Sequence, residues 1–326
     1  MKFHWSTIGH DVAKRYVESF VALSRVPSHA FMLCGPRHIG KSLFAREMAA
    51  MLMCVNTETR PCGSCAHCQH FSRNVHPDVY RVGPELGDDA NVGSQSISIE
   101  DIRDCIDRLH MSALFRHRKI LFIENAELLT VGASNALLKT LEEPHGDTLF
   151  VLVSNSEEAL LPTIRSRCQL IRMYPLPIQL LYRELTRRHV PSELALTLAR
   201  FSKGRFGLIS RFVERQSEWS ATARQLEQDA QTLFGPGADK HRWYEDTDSI
   251  PFASFVDFVH DLLLVNVGLP ERAVLPHSTL KSFGDRETKK LVDLLETCVR
   301  AIKLRSQNVN QKLLLDLIHT RARTVV

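Results

Sequence analysis

The sequence predicts an α/β fold built on a parallel sheet, continuing into segments that are helical only. Three observations carry this. From residue 1 to about 172, short apolar runs alternate with amphipathic stretches, the pattern of parallel strands joined through covering helices. A glycine-bearing loop joins the first of these runs to a helical stretch. Beyond "YPLP" (174–177) no strand-like run appears, and the prolines there act as punctuation.

The predicted strands are "AFMLC" (30–34), "DVYRV" (78–82), "KILFI" (119–123), "TLFVLVS" (148–154) and "QLIRM" (169–173). Between them, "SIEDIRDCIDRLHM" places Ile99, Ile102, Ile106 and Leu109 on one helical face. After residue 173, "IQLLYRELTRRH" and "PSELALTLARFS" form a small helical pair closed by the glycines of "KGRFG". A further helical stretch ends at the glycine–proline break "FGPGADK" (234–240). Long helices follow from about 250, including "FASFVDFVHDLLL" and "NQKLLLDLIHTR". There is no internal repeat and no low-complexity tract.

Apolar residues make up 44% of the 326 and charged residues 24%, a soluble globular profile with room for two or three domains. The net charge of +4 is too small to imply a nucleic-acid partner. "RHRK" (116–119) and "RELTRRH" (183–189) read as solvated faces. No apolar run suits a signal peptide or a membrane span, so a cytoplasmic protein with no membrane partner is expected.

"GPRHIGKS" supplies Gly35, Pro36, Arg37, His38, Ile39, Gly40, Lys41 and Ser42 in the pattern G-x-x-x-x-G-K-[ST]. It follows a strand and opens the helix "SLFAREMAAMLM", the context a phosphate-binding loop needs. Backbone N–H groups and the helix N-terminus would cradle phosphates. Lys41 would reach the β- and γ-phosphates of ATP, and Ser42 would ligate Mg²⁺.

"CVNTETRPCGSCAHC" supplies Cys54, Cys62, Cys65 and Cys68, spaced C-x7-C-x2-C-x2-C. In a reducing compartment such a cluster suggests metal rather than disulfides. Four thiolates can close a tetrahedral Zn²⁺ site with no open position, which makes it structural. An iron–sulfur cluster or four unligated cysteines are the alternatives. His67 and His70 read as solvated bystanders. Cys34, Cys105, Cys168 and Cys298 read as small core residues.

Two further stretches stand out: "SNALLKTLEEP" (134–144), after the strand "KILFI" and the acidic residues that end it, and "LPTIRSRCQ" (161–169), after the next strand. With the phosphate loop and the four cysteines, in this order, they resemble the bacterial clamp-loader branch of the AAA+ ATPases. The likeness is sharp over 1–172 and extends more loosely to "NVNQKLLLDLI" (308–318), similar to the last collar helix of those subunits. The resemblance implies an AAA+ nucleotide-binding domain over 1–172 with the zinc loop 54–68 inserted. It implies a helical lid over 173–215 and an all-α oligomerisation collar over 216–326. It also implies partners: gamma or tau motor subunits and a delta subunit in a pentamer, the sliding clamp, and primed DNA reached through the assembly.

Within that family the motor subunits hydrolyse ATP, whereas the delta prime kind turns it over poorly. A motor needs Asp for Mg²⁺ and Glu to orient water. Here the strand ends in Glu124 and Asn125. Glu124 can still ligate metal on a longer stem, but Asn125 cannot accept a proton. Glu127 is expected to face away. Arg167 in "SRC" matches the arginine that enters a neighbour's ATP site, and Asn155 is a candidate γ-phosphate sensor, a strand-ending turn residue being its alternative. In the lid stretch "GRFGLISRF", Ser210 falls near the family's sensing arginine, flanked by Arg205 and Arg211. The resemblance therefore favours a delta prime-like component of the DNA polymerase III holoenzyme. An active gamma-type ATPase is the alternative; the chain's end after the collar speaks against a tau-like form. A stand-alone enzyme such as a nucleotide kinase fits neither "SNALLKTLEEP" nor "SRC".

Overall fold

The computed structural model describes residues 1–23, 25–83, 96–111, 113–115, 118–215, 252–274, 287–305 and 309–325, together with Trp219, Arg224 and Leu280. The break at 234–240, the helical stretch before it, and two members of "RHRK", Arg116 and His117, lie outside these residues.

Contacts divide the chain into two units, Met1–Leu181 with Ser202–Leu208, and Tyr182–Phe201 with Ile209–Val326. In the first, β1 (Lys2–Phe3) pairs in parallel with β3 (Thr59–Arg60). The main sheet holds β2 (Ala30–Cys34), β4 (Val79–Val82), β5 (Lys119–Ile123), β6 (Thr148–Ser154) and β7 (Gln169–Arg172), all parallel, in the order β4-β5-β6-β2-β7. Each of the five predicted strands is present.

Because side chains alternate across a strand, the sheet feeds two cores. Phe31, Leu33, Ile120, Phe122, Val151 and Val153 pack on one face with α1 (Asp11–Ala22) and α2 (Lys41–Met53). Met32, Leu121, Ile123, Phe150 and Leu152 pack on the other with α4 (Ile99–His110) and α5 (Val131–Glu142). Burying each such side chain contributes about 1.5–3 kcal/mol relative to leaving it exposed. The α4 start is fixed by a reciprocal cap. Ser98 Oγ accepts from the Asp101 N–H, and the Ser98 N–H donates to Asp101 Oδ2 at 2.9 Å. Its buried stripe is Ile102, Cys105 and Leu109, with Ile99 and Ile106 half-buried at the edges.

The register sets Cys34 beside Ser154, and Ile123 beside Leu152. The carboxyl ends of β2, β5 and β6 therefore open together, where open parallel sheets bind ligands. The second unit is helical among its described residues. Phe201 of α8 (Ser192–Phe201) meets Phe212 and Trp219 edge-on, with ring centroids 6.5 and 5.1 Å away. Helices Phe252–Asn266, Thr288–Arg305 and Gln311–Val325 share a core of Phe258, Leu262, Leu291, Cys298, Leu315 and Ile318. Cys34, Cys105 and Cys298 are buried and Cys168 half-buried, as small core residues would be. No helix among the described residues is long and apolar enough to cross a membrane.

Candidate functional site

The phosphate loop runs from the end of β2 into α2. Gly35 is required because a Cβ there would stand 2.2 Å from the Met173 carbonyl oxygen. His38 and Gly40 take left-handed backbone, φ 66° and 93°, which turns the chain into α2. Ile39 is anchored in the core, while Pro36 and Arg37 are exposed. Two contacts hold the loop from outside. His10 Nε2 donates to the Ile39 carbonyl at 3.0 Å, and the Gly207 N–H to the His38 carbonyl at 2.8 Å. Gly207 belongs to "GRFGLISRF", and a Cβ on it would crowd the His38 oxygen at 2.9 Å. In the same stretch Arg205 is half-buried, Ser210 is exposed, and the Arg211 side chain is outside the description.

Lys41 is only 6% exposed. Its Nζ donates to the Gly35 and Pro36 carbonyls, at 2.8 and 2.7 Å, and to Asn155 Oδ1 at 2.9 Å. All three ammonium protons are thus committed within the protein. Burial lowers its pKa to about 8, with the Glu127 carboxylate opposing that shift. Ser42 Oγ donates to Glu124 Oε2 at 2.7 Å. Burial holds the Glu124 carboxyl above the usual range, and its Oε1 has no hydrogen-bond partner among the described residues. A buried, unmatched carboxylate oxygen beside a phosphate-loop hydroxyl suits a hard divalent cation, and Mg²⁺ fits this donor set. Ser42 and Glu124 would hold it, and the charge it supplies would offset that of nucleotide phosphates.

Asn125 is half-buried in left-handed backbone, φ 50°, a conformation that Asn tolerates better than most residues. It opens the 3-10 turn Ala126–Leu128. That turn redirects Glu127, correcting the expectation that it faces away. Glu127 Oε2 accepts from Ser154 Oγ and the Asn155 N–H, each at 3.1 Å, and Oε1 accepts from Asn155 Nδ2. The missed signal was the turn: three residues of it swing Glu127 against the end of β6.

Arg167 lies on the surface. It donates to the Thr163 carbonyl at 2.9 Å and pairs with Glu142. Glu142 belongs to "SNALLKTLEEP", so the two family stretches meet through this pair, outside the chain's own phosphate loop. Several described members of the basic runs are paired within the chain. Arg118 pairs with Asp147 at 2.8 Å, and Arg187 and Arg188 with Glu184 at 2.7 Å each. Lys119 is buried against the Leu109 and Met111 carbonyls, not on a solvated face.

The four cysteine sulfurs lie within 4.8 Å of one another. Tetrahedral ligation at a Zn–S distance of about 2.3 Å puts sulfurs about 3.8 Å apart, and Cys62 Sγ lies 3.9 Å from Cys68 Sγ. Backbone N–H groups aim at three of them: Cys62 at Cys54 Sγ, Cys65 at Cys62 Sγ and Cys68 at Cys65 Sγ, at 3.4, 3.3 and 3.5 Å. The Ser64 hydroxyl and nearby N–H groups lower Cys62 to about 6, while burial raises Cys54 and Cys68. Zn²⁺ fits this set, supplying the charge that buried thiolates need. His67 is no bystander. It is buried, and the Asp78 N–H donates to His76 Nδ1, so His76 Nε2 carries the proton given to His67 Nδ1 at 2.9 Å. His70 is half-buried, edge-on to His76.

A family model described as "DNA polymerase III, delta subunit" matches residues 11–177. The chain is 38% identical over 172 residues to DNA polymerase III subunit delta' of Pseudomonas aeruginosa, covering 52% of this chain and 50% of that one. It is 34% identical over 178 residues to subunit delta' of Escherichia coli (strain K12), covering 54% and 52%. It is 32% identical over 162 residues to subunit gamma of Buchnera aphidicola subsp. Acyrthosiphon pisum, covering 49% and 42%. The chain thus spans about half the length of the curated relatives it matches. An intact phosphate loop, the Glu124-Asn125 strand end, the four-cysteine cluster and a match over half its length lead to one conclusion: the chain belongs to the DNA polymerase III delta subunit family.

Proposed function

We propose that this chain is a delta prime-like clamp-loader subunit that holds nucleotide but hydrolyses it poorly. One observation carries the reading. Lys41 and Ser42 of the phosphate-loop motif touch Asn155 and Glu124 at the strand ends, whereas the strand facing them ends in Glu124 and Asn125, with no carboxylate at the position the motif reserves for orienting water. Binding needs only the cradle; hydrolysis needs a group that orients water. Glu124 would hold the metal on a longer stem than Asp, and displacements of about 1 Å matter for phosphoryl transfer. Asn155 would line the γ-phosphate side through its contact with Lys41.

The chain divides by this reading into an AAA+ domain (1–172), a lid (173–215) and a collar (216–326). Zn²⁺ held by Cys54, Cys62, Cys65 and Cys68 is structural. Its partners are gamma or tau motor subunits and a delta subunit, and through them a sliding clamp and primed DNA, in the cytoplasm. Arg167 enters the neighbour's ATP site in place of its bond to Glu142. A gamma-type motor is the second reading, favoured by the Ser42–Glu124 contact, which keeps a metal position.

Reconstitution with the other subunits tests the proposal. Arg167→Ala should slow hydrolysis at the one site it serves by about 10³-fold. Its own fold should lose no more than about 1 kcal/mol, because the Glu142 pair is exposed. Complex activity unchanged by Arg167→Ala would remove the finger role.

A further inference from the structure

The structure fixes which way the Asn155 amide points. Glu127 accepts from the Asn155 backbone N–H, Asn155 Nδ2 and Ser154 Oγ. An ionised carboxylate offers no proton, so the amide must turn its NH₂ toward Glu127. Lys41 offers only protons, so Asn155 Oδ1 must face it, at 2.9 Å. Both neighbours impose the same orientation. The phosphate-loop lysine serves the β- and γ-phosphates, so the group beside Nζ faces incoming phosphate with an acceptor rather than a donor.

Ionised phosphate oxygens also only accept. An Asn that reads a γ-phosphate must present Nδ2, and turning the amide over would set Oδ1 against the Glu127 carboxylate. Glu127 further adds a negative charge near Lys41, where a third phosphate would bring more of its own. The α- and β-phosphates are served mainly by backbone N–H groups of the loop and by the helix N-terminus, which Glu127 leaves untouched.

We propose that Glu127 is a positioning residue that sets nucleotide specificity: by holding the Asn155 amide with its oxygen toward Lys41, it makes the site prefer a nucleoside diphosphate to a triphosphate. The proposal rests on the nucleotide-binding reading above and deepens it. It gives the departure at Asn125 a counterpart, since a site that disfavours the third phosphate has little use for a water-orienting carboxylate.

The test compares ADP and ATP dissociation constants, each with Mg²⁺, for the full chain and for Glu127→Gln. Gln keeps the side chain's reach, removes its charge, and can accept or donate to the amide. The native chain should bind ADP more tightly than ATP by about tenfold, the scale of an unfavourable like-charge or acceptor–acceptor approach. Measured well below pH 8, so that Lys41 stays charged without the Glu127 carboxylate, Glu127→Gln should tighten ATP and bring the ratio near one, with ADP little changed. In an Asn155→Ala background, Glu127→Gln should no longer move the ratio. A purely structural Glu127 would weaken both nucleotides together. Equal affinities in the native chain, or a ratio unmoved by Glu127→Gln in a protein of unchanged melting temperature, would overturn the proposal and leave the nucleotide-binding reading standing. Binding of neither nucleotide would overturn both.

Discussion

Lys41 commits all three of its protons to Gly35, Pro36 and Asn155, so nucleotide must displace interactions the loop already makes. Burial has lowered its pKa to about 8, below the ordinary lysine value, and phosphates would raise it again. The sign follows. Below about pH 8 the free protein already carries the charge, and binding takes up no proton. Above it, binding must recruit one. The ADP dissociation constant should be flat below about pH 8 and rise by up to about tenfold per pH unit above it. Isothermal titration in two buffers of different ionisation heat reads both the constant and the proton uptake. An affinity unchanged to about pH 9.5 would contradict this account of Lys41. At this scale the sequence was informative about identity and less so about direction. Lys41, Ser42 and Glu124 come together as the motif implies. Glu127 did not, because its direction depends on left-handed backbone at Asn125, a single conformational choice that leaves no periodic trace. His67 was likewise misread: its burial depends on His76, nine residues away, and on the Asp78 N–H.

At the scale of elements, the central strands β2, β5 and β6 were legible because each is a run buried along its whole length, as a strand covered on both faces must be. At the sheet edges, β4 and β7 carry polar residues such as Arg81 and Arg172 and were legible from their short apolar cores. Two-residue β1 and β3 carry no such run. Their pairing is set by the cysteine loop, since Thr59 and Arg60 lie between Cys54 and Cys62. That loop holds little apolar surface of its own, so the metal would supply its cohesion. Without it, neutral Cys54 and Cys68 would face a Cys62 thiolate across less than 5 Å. Elemental analysis of protein purified under reducing conditions should find one equivalent of zinc. Stripping it with a chelator should expose residues 54–68 to protease and lower the melting temperature by roughly 5–10 °C, the effect of losing a few kcal/mol in a chain of this size. Absence of zinc, or an unchanged protease pattern after chelation, would refute the metal site.

For the whole molecule, the sequence carried family membership through the spacing and order of motifs, and the fold explains why that order matters. "SNALLKTLEEP" forms α5 and "SRC" follows it by one strand. The Arg167–Glu142 pair joins their ends on the surface, away from the chain's own phosphate loop. Under the proposed reading, Arg167 would leave Glu142 to serve a neighbour, while the chain's own phosphate loop faces a strand end, Glu124-Asn125, without a water-orienting carboxylate. Its helical segments were legible as helices through their 3.6-residue periodicity, but what they assemble with is not written in that periodicity. The central claim is the proposed separation of nucleotide binding from hydrolysis in this chain. The most direct measurement is a nucleotide titration of the isolated chain paired with a turnover assay on the same sample at saturating ATP and Mg²⁺. The account predicts saturable binding with turnover well below about one per second, under the range of working phosphoryl-transfer enzymes. Turnover of several per second would contradict it and make the chain a motor.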